Sequence, residues 1–239
     1  MTAASPDLIQ DMVCDLAQMP LRELNAALHR AGAQGNARRW QVLNPAGRHA
    51  LACGIDTALN VEIEGHVGYY CAGMNAEATV VIHGNAGVGV AENMMSGFVH
   101  VRGDASQAAG ATGQGGLLLI DGNASARCGI SMKGIDIVVK GSVGHMSAFM
   151  GQAGTLVVLG DAGEALGDSL YEARLFVRGS VASLGADCIE KEMRAEHRAL
   201  LAAKLDAAGL KGSVDVAEFR RYGSARKLYN FNVDHADSY

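Results

Sequence analysis

A glycine returns every 19 residues along the middle of this chain. It stands at Gly65, Gly84, Gly103, Gly122, Gly141, Gly160 and Gly179, with no slip across seven repeats. Glycine makes up 31 of the 239 residues. At that frequency six further hits on a fixed grid have a chance probability of about 5 in a million. The run before each glycine repeats as well. Four residues back stand Val61, Val80, Val99, Leu118, Ile137, Leu156 and Leu175; two back stand Ile63, Ile82, Val101, Ile120, Val139, Val158 and Val177. All fourteen are aliphatic and lie two apart, so they share one face of a strand. The residue just before each glycine is polar or ionisable in six of seven repeats (Glu64, His83, Arg102, Asp121, Lys140 and Arg178, against Leu159) and should point outward. Seven residues after each glycine stand Ala72, Ala91, Gly110, Gly129, Ala148, Gly167 and Ala186, every one Gly or Ala. A tight corner or a narrow interior requires that.

One strand per 19 residues, always in the same phase, does not suit a hairpin meander, in which strand direction alternates. Identical units stacked by translation make a solenoid. The fold expected is therefore an all-β core, a right-handed parallel β-helix of about seven 19-residue coils over residues 51–186, with α-helical N- and C-terminal flanks. Nineteen is not a multiple of six, which disfavours the left-handed hexapeptide helix, and right-handed crossovers are the rule for parallel strands. At about 4.8 Å per coil the stack is about 30 Å long. The domain boundaries expected are 1–40 for an N-terminal helical extension, 41–187 for the β-helix, and 188–239 for a C-terminal helix and extended docking tail.

The flanks carry their own signals. Ser5-Pro6-Asp7 is a helix start, predicting a helix to about Gln18. Pro20 begins a second helix, with Leu21, Leu24 and Leu28 on one face and Gly32 as its stop. Ile189 to about Ala208 reads as an amphipathic helix, with Ile189, Met193, Leu200, Leu201 and Leu205 on one face and Gly209 at its end. The tail from Leu228 to Val233 alternates and is aromatic, as an extended docking segment does. Helices at the two ends would cap the exposed strand edges of the solenoid.

The column three residues before each glycine reads Glu62, Val81, His100, Leu119, Val138, Val157 and Phe176. It should face outward, yet its last four members are apolar. Either the flanking helices cover it or a partner does. Met94, Met95, Met132, Met146 and Met150 crowd the middle corners, as core filling or as an adaptable contact surface.

Chemistry-bearing patterns are sparse. Gly87-Val88-Gly89 follows a strand, but Glu92 stands where a dinucleotide loop needs its third glycine, and another coil follows instead of a helix. The stretch from Gly110 to Gly116 reads as a corner for the same reason. Cys71 and Cys128 occupy equivalent positions three coils apart, about 14 Å, too far for a disulfide. No CxxC spacing occurs among the five cysteines, and buried inert thiols are expected. His83 and His100 face outward nearly a coil apart, without a third ligand for a metal. His66 and His145 sit beside corner glycines and should bond backbone carbonyls. Asp168, Tyr171 and Glu172 gather at one corner, and Arg127 and Lys133 bracket another; capping of corners or partner contact competes with acid–base chemistry there.

Composition limits the function classes. Net charge is −5, with 49% hydrophobic and 19% charged residues, so neither disorder nor a nucleic-acid surface is expected. No stretch reaches about 18 apolar residues, and the start from Met1 to Asp7 lacks a basic region followed by an apolar one. With few, odd-numbered cysteines, this points to a cytoplasmic protein.

Several longer motifs are specific: Gly65-His66-Val67-Gly68-Tyr69-Tyr70-Cys71-Ala72-Gly73-Met74-Asn75, Ala91-Glu92-Asn93-Met94-Met95-Ser96-Gly97, and Arg127-Cys128-Gly129-Ile130-Ser131-Met132-Lys133-Gly134. Gly144-His145-Met146-Ser147-Ala148-Phe149-Met150, Leu166-Gly167-Asp168-Ser169-Leu170-Tyr171-Glu172-Ala173 and Arg221-Tyr222-Gly223-Ser224-Ala225-Arg226 join them. These resemble the GXGXG domain found at the C-terminus of the large glutamate synthase subunit and in the third subunit of formylmethanofuran dehydrogenase. They are most similar to the freestanding GXGXG subunit of N-methylglutamate synthase. The likeness spans residues ~40–239, and Leu21-Arg22-Glu23-Leu24-Asn25 extends it toward the start. The resemblance implies a division of labour. A class-II glutamine amidotransferase-like subunit and an FMN-binding glutamate synthase-like subunit with an iron–sulfur cluster would do the chemistry. The β-helix would pack between them in a hetero-oligomer that makes N-methyl-L-glutamate from methylamine and L-glutamate, releasing ammonia. No catalytic, cofactor-binding or metal-ligating residue is carried over to this chain. The residues agree: Met1-Thr2 offers no N-terminal cysteine nucleophile, and there is no eightfold βα pattern and no cysteine cluster. The alternatives are a GXGXG subunit of another glutamate synthase-like complex, or a stand-alone β-helix enzyme working from the Asp168/Tyr171/Glu172 corner.

Overall fold

A computed structural model describes residues 12–33 and 39–226. One 11-stranded sheet runs the length of the molecule. Its centre is the seven repeats: β3 (Asn60–Glu64), β4 (Thr79–Ile82), β5 (Phe98–Val101), β6 (Leu117–Ile120), β7 (Lys133–Val139), β8 (Ala153–Val158) and β9 (Arg174–Val177). All are parallel, and the aliphatic columns stand in register: Val61 pairs with Val80, then Val99, Leu118, Ile137, Leu156 and Leu175. All fourteen aliphatic residues are at most 1% exposed. A second parallel ladder, from Val67 through Ala86, Ala105, Ala124, Val143 and Ala162 to Val181, repeats at the same 19-residue step on another side of the coil. This is a parallel β-solenoid of about seven turns.

The corner that follows is built from backbone rather than side chains. Residues five, seven and nine after each anchor glycine take left-handed dihedrals in successive coils: Tyr70, Ala72 and Met74, then Gly89, Ala91 and Asn93, and so on to Ala165, Gly167 and Ser169. An L-residue in that region costs about 1–2 kcal/mol. Hydrogen bonds between coils hold it there. Tyr70 N–H donates to Val88 O of the next coil, Ala72 N–H to Leu51 O of the previous one, and Met74 N–H to Glu92 O of the next again. Alternate amides thus point up and down the stack, and every coil is tied to both neighbours. The small column seven after the anchor faces inward: Ala72, Ala91 and Ala148 are fully buried, and a Cβ at Gly110 would lie 2.7 Å from Ile137 Cδ1.

A polar ladder fixes the turn at each anchor. Asn85 Oδ1 accepts from Asp104 N–H at 3.0 Å, Asp104 Oδ1 from Asn123 N–H at 2.7 Å, and Asn123 Oδ1 from Ser142 N–H at 2.9 Å. Ser142 Oγ accepts from Asp161 N–H at 2.9 Å, and Asp161 Oδ1 from Ser180 N–H at 2.7 Å. From Gly84 on, the anchors themselves have no room for a side chain. A Cβ at Gly84 would sit 2.6 Å from the Gly65 carbonyl carbon.

The ends differ from the flanks expected. Residues 1–11, which include the start of the first expected helix, lie outside the described residues. Its second half is instead β1 (Met12–Asp15), parallel to β2 (Arg39–Leu43), which pairs with β3. Backbone pairing with an existing sheet edge outweighs a weak local helix signal there. The second helix stands as expected, α1 (Leu21–Ala33), although it runs past Gly32. Leu24 and Leu28 are buried, and Asn25 clamps the first corner, donating to Ala50 O and accepting from Ala52 N–H. At the other end, Ile189 lies not in a helix but in β10 (Cys188–Lys191), where it is 44% exposed. β10 pairs antiparallel with β11 (Arg220–Ser224), and β11 closes the solenoid by pairing antiparallel with β9. The helix begins later, as α2 (Ala195–Ala207). The tail from Leu228 to Val233 lies outside the described residues.

Candidate functional site

Helix α2 resolves the apolar outward column. Leu119, Val138, Val157 and Phe176 pack under Leu201, Leu205, Ala208 and Phe219 in one buried cluster. Lys204 Nζ reaches Asp136 Oδ2 at 2.7 Å and pins the helix to the sheet. Those four side chains are therefore no partner surface; the chain covers them itself. The sequence left both readings open, and burial of about 0.8 kcal/mol per CH₂ explains the outcome once an amphipathic helix lies within reach.

The same outer face is charged nearer the N-terminal end. Glu62 Oε2 lies 2.5 Å from His83 Nε2, and Glu62 Oε1 lies 3.7 Å from Arg39. Asp121 Oδ1 lies 3.0 Å from His100 Nε2 and 2.6 Å from Lys140 Nζ, with Arg102 3.5 Å from the other carboxylate oxygen. The two Oδ1 contacts are ion-pair approaches rather than aligned hydrogen bonds. Burial holds the His100 ring below the usual histidine range, partly offset by Asp121. Burial alone would raise the Asp121 carboxyl, but Lys140 and His100 outweigh it and hold it below the usual carboxylate range. The two histidines thus engage different carboxylates. Among the described residues no group of three His, Cys, Asp or Glu side chains could hold a metal ion.

The cysteines are free thiols. Cys14, Cys71, Cys128 and Cys188 are buried and Cys53 is half-buried. Burial pushes Cys53 and Cys188 up to about 11 and Cys128 up to about 12, and raises Cys14 and Cys71 as well. A thiol kept protonated is neither a good nucleophile nor a metal ligand.

The glycine-rich loops are corners. Gly89 is left-handed, a Cβ at Gly87 would meet the Gly68 backbone at 2.5 Å, and β5 follows rather than a helix. Gly110 and Gly116 are left-handed too. His66 bonds backbone, but an amide rather than a carbonyl: its Nδ1 accepts from Asn85 N–H at 2.9 Å. Asp168 is used in the fold, accepting from Ser169 Oγ and from Ala186 N–H. Tyr171 and Glu172 part from it and line a cleft at the C-terminal end of the stack. Arg127 and Lys133 are both exposed.

The corners present both apolar and polar side chains outward. Nine large hydrophobic side chains are exposed among the described residues, and six lie four to eleven residues after Gly65, Gly84, Gly141 or Gly160. They are Tyr69 and Val88 at the fourth position, Met74 and Met150 at the ninth, and Met95 and Tyr171 at the eleventh, between 39% and 49% exposed. Met94 and Met132, by contrast, are fully buried. The corner methionines therefore divide between core filling and surface. Sequence reasoning could not sort them, because inward and outward positions in this corner follow left-handed backbone steps rather than a strand's alternation.

No family model matches the chain. A curated protein does. Protein GlxC of Rhizobium meliloti (strain 1021) is 67% identical over 227 residues, covering 95% of this chain and 99% of its own length. The chain belongs to the GlxC family. An alignment of that length takes in the solenoid, the C-terminal strand pair and α2 together. Among the described residues of this GlxC-family chain, no helix is long and apolar enough to cross a membrane.

Proposed function

We propose that this chain is a non-catalytic scaffold subunit of a glutamate synthase-like, FMN-dependent N-methylglutamate synthase. It packs between a class-II amidotransferase-like subunit and an FMN-barrel subunit, in a complex that converts methylamine and L-glutamate to N-methyl-L-glutamate and ammonia. FMN and the iron–sulfur cluster belong, on this reading, to a partner subunit, and the complex works in the cytoplasm. The coarser reading within it is a glutamate synthase-related subunit of an enzyme complex.

The observation that supports the scaffold role is the corner face. Exposed Tyr, Met and Val side chains recur there among polar ones, and adaptable apolar groups on a regularly stacked support suit a protein interface. The long GXGXG motifs support the choice of complex. The acids and histidines available for chemistry are mostly committed to ion pairs or to backbone, and the thiols are held protonated.

The test is reconstitution. This chain is purified alone and with the two presumed partner subunits, and methylamine-dependent N-methylglutamate formation is followed. Activity is expected from the three-subunit mixture, and loss of assembled complex is expected when Met74, Met95 and Met150 are changed to Gln together. Turnover by the isolated chain would overturn the reading.

A further inference from the structure

The C-terminal strand pair sets two cations directly opposite each other. Lys191 in β10 pairs across the antiparallel ladder with Arg221 in β11. Like charges at directly opposed positions are destabilising. Arg221 is also deeply buried, at 5% exposure. Its Nε donates to Glu192 O at 3.0 Å, which leaves the four N–H groups on its two terminal nitrogens without a hydrogen bond or ion pair among the described residues. Those terminal nitrogens are not sealed from solvent, so an acceptor can reach them.

Those donors face a cleft. It is shallow and partly open to solvent, and it is lined by Arg221, Lys191, Arg174, Ser224, Tyr171 and Glu172, among others. Neither Lys191 nor Arg174 has a carboxylate within ion-pair distance among the described residues. The nearby acids are engaged elsewhere: Glu192 and Glu196 both approach Arg194, at 3.2 and 3.9 Å. Among the described residues Glu172 is the one acidic side chain on the wall, set against three cations. Burial, with the charges of Arg221 and Arg194, holds the Lys191 ammonium below the usual lysine range. Among the described residues the cleft wall thus carries an excess of positive charge, in a chain whose net charge is −5.

We infer that this cleft binds a small-molecule oxyanion, a carboxylate or a phosphate, held by Arg221, Lys191 and Arg174. The planar guanidinium of Arg221 suits a two-oxygen acceptor, and the lysine adds a point charge from the facing strand. Glu172 at the rim disfavours densely charged ligands and would accept from an ammonium on the same molecule. The inference is independent of the subunit reading, since it concerns this chain alone.

The experiment is calorimetric titration of the full chain at low ionic strength, with inorganic phosphate in one arm and succinate in the other. Saturable binding of one anion per chain is expected in at least one arm, and the arm that responds names the anion class. Lys191→Gln and Arg174→Gln should each weaken it ~10-fold, and the double change should remove it. Glu172→Gln should tighten it. Lys133→Gln, at an exposed position in a different corner, should leave it unchanged. Thermal unfolding of each variant separates lost binding from lost fold. No saturable heat from either anion up to ~10 mM, or weakening by Lys133→Gln equal to that by Lys191→Gln, would overturn the inference.

Discussion

The two sides of each coil follow different rules. On the strand side, side chains decide: fourteen aliphatic residues at spacing two fill the interior and are at most 1% exposed. On the corner side, the backbone decides. Three residues per coil are left-handed, and Tyr, Arg, Met, Ala, Asn, Ser and Thr all occupy those positions. Their identities vary because the hydrogen bonds that hold them come from main-chain amides. A single 19-residue period is therefore encoded twice, once in side-chain chemistry and once in amides alternating up and down the stack. The first code cannot vary without loss, whereas the second leaves side chains free to face a partner.

Substitutions put this contrast to the test. The largest effect should come from the strand side. Ile137→Ala opens the centre of the stack and should destabilise by about 2–5 kcal/mol, read by denaturant unfolding. Next is the helix laid on the sheet. Leu205→Ala should cost about 2–4 kcal/mol, because Leu205 is 2% exposed in the outer cluster. Lys204→Ala should cost under ~1 kcal/mol, since its ion pair with Asp136 is partly solvated. Equal losses from the two would show that charge, rather than apolar burial, holds α2 in place.

The outer charged patch makes a pH prediction. Burial lowers the His100 value below its ordinary 6.5, so the unfolded chain takes up that proton first. Its contribution is present above pH ~6.5 and is lost as pH falls below it. His100→Gln should flatten the fall in melting temperature between pH 6.5 and 5. The Asp121 carboxyl, also lowered, adds a further loss below its ordinary 3.8, which the variant should reduce, because His100 helps Lys140 hold that value down. The smallest effect belongs to the corner. Arg127 is exposed and left-handed at φ +58°, so Arg127→Gly should relieve strain and stabilise by up to about 1 kcal/mol. Destabilisation there would mean that the side chain, not the backbone, specifies the corner.

Legibility follows the same division. The seven coils, their register and the inward columns can be read because a strand converts spacing into direction. The left-handed corners cannot, since Tyr70, Arg127 and Met146 carry no signal for that backbone. The ladder from Asn85 to Ser180 does leave a trace, a column of Asn, Asp and Ser one residue after each anchor from Gly84 on, but its meaning emerges only once the coils are stacked. β10 and β11 are hidden because Cys188–Lys191 and Arg220–Ser224 pair across about 30 residues, and the alternation at Ile189 merges into the helix that follows. At the start, Met12–Asp15 joins a sheet edge set up by Trp40, 28 residues away. The sequence shows only part of the cation cleft's lining, the Tyr171 and Glu172 corner. Its arginines and lysine meet through that late strand pairing.

The most direct test is amide hydrogen exchange of this chain alone and in complex with its partner subunits. If the stack holds other polypeptides through its corners, protection should rise around Tyr69, Met74, Val88, Met95 and Met150, while α2 and its covered column stay unchanged. Protection confined to α2, or none along the corners of an assembled complex, would contradict it.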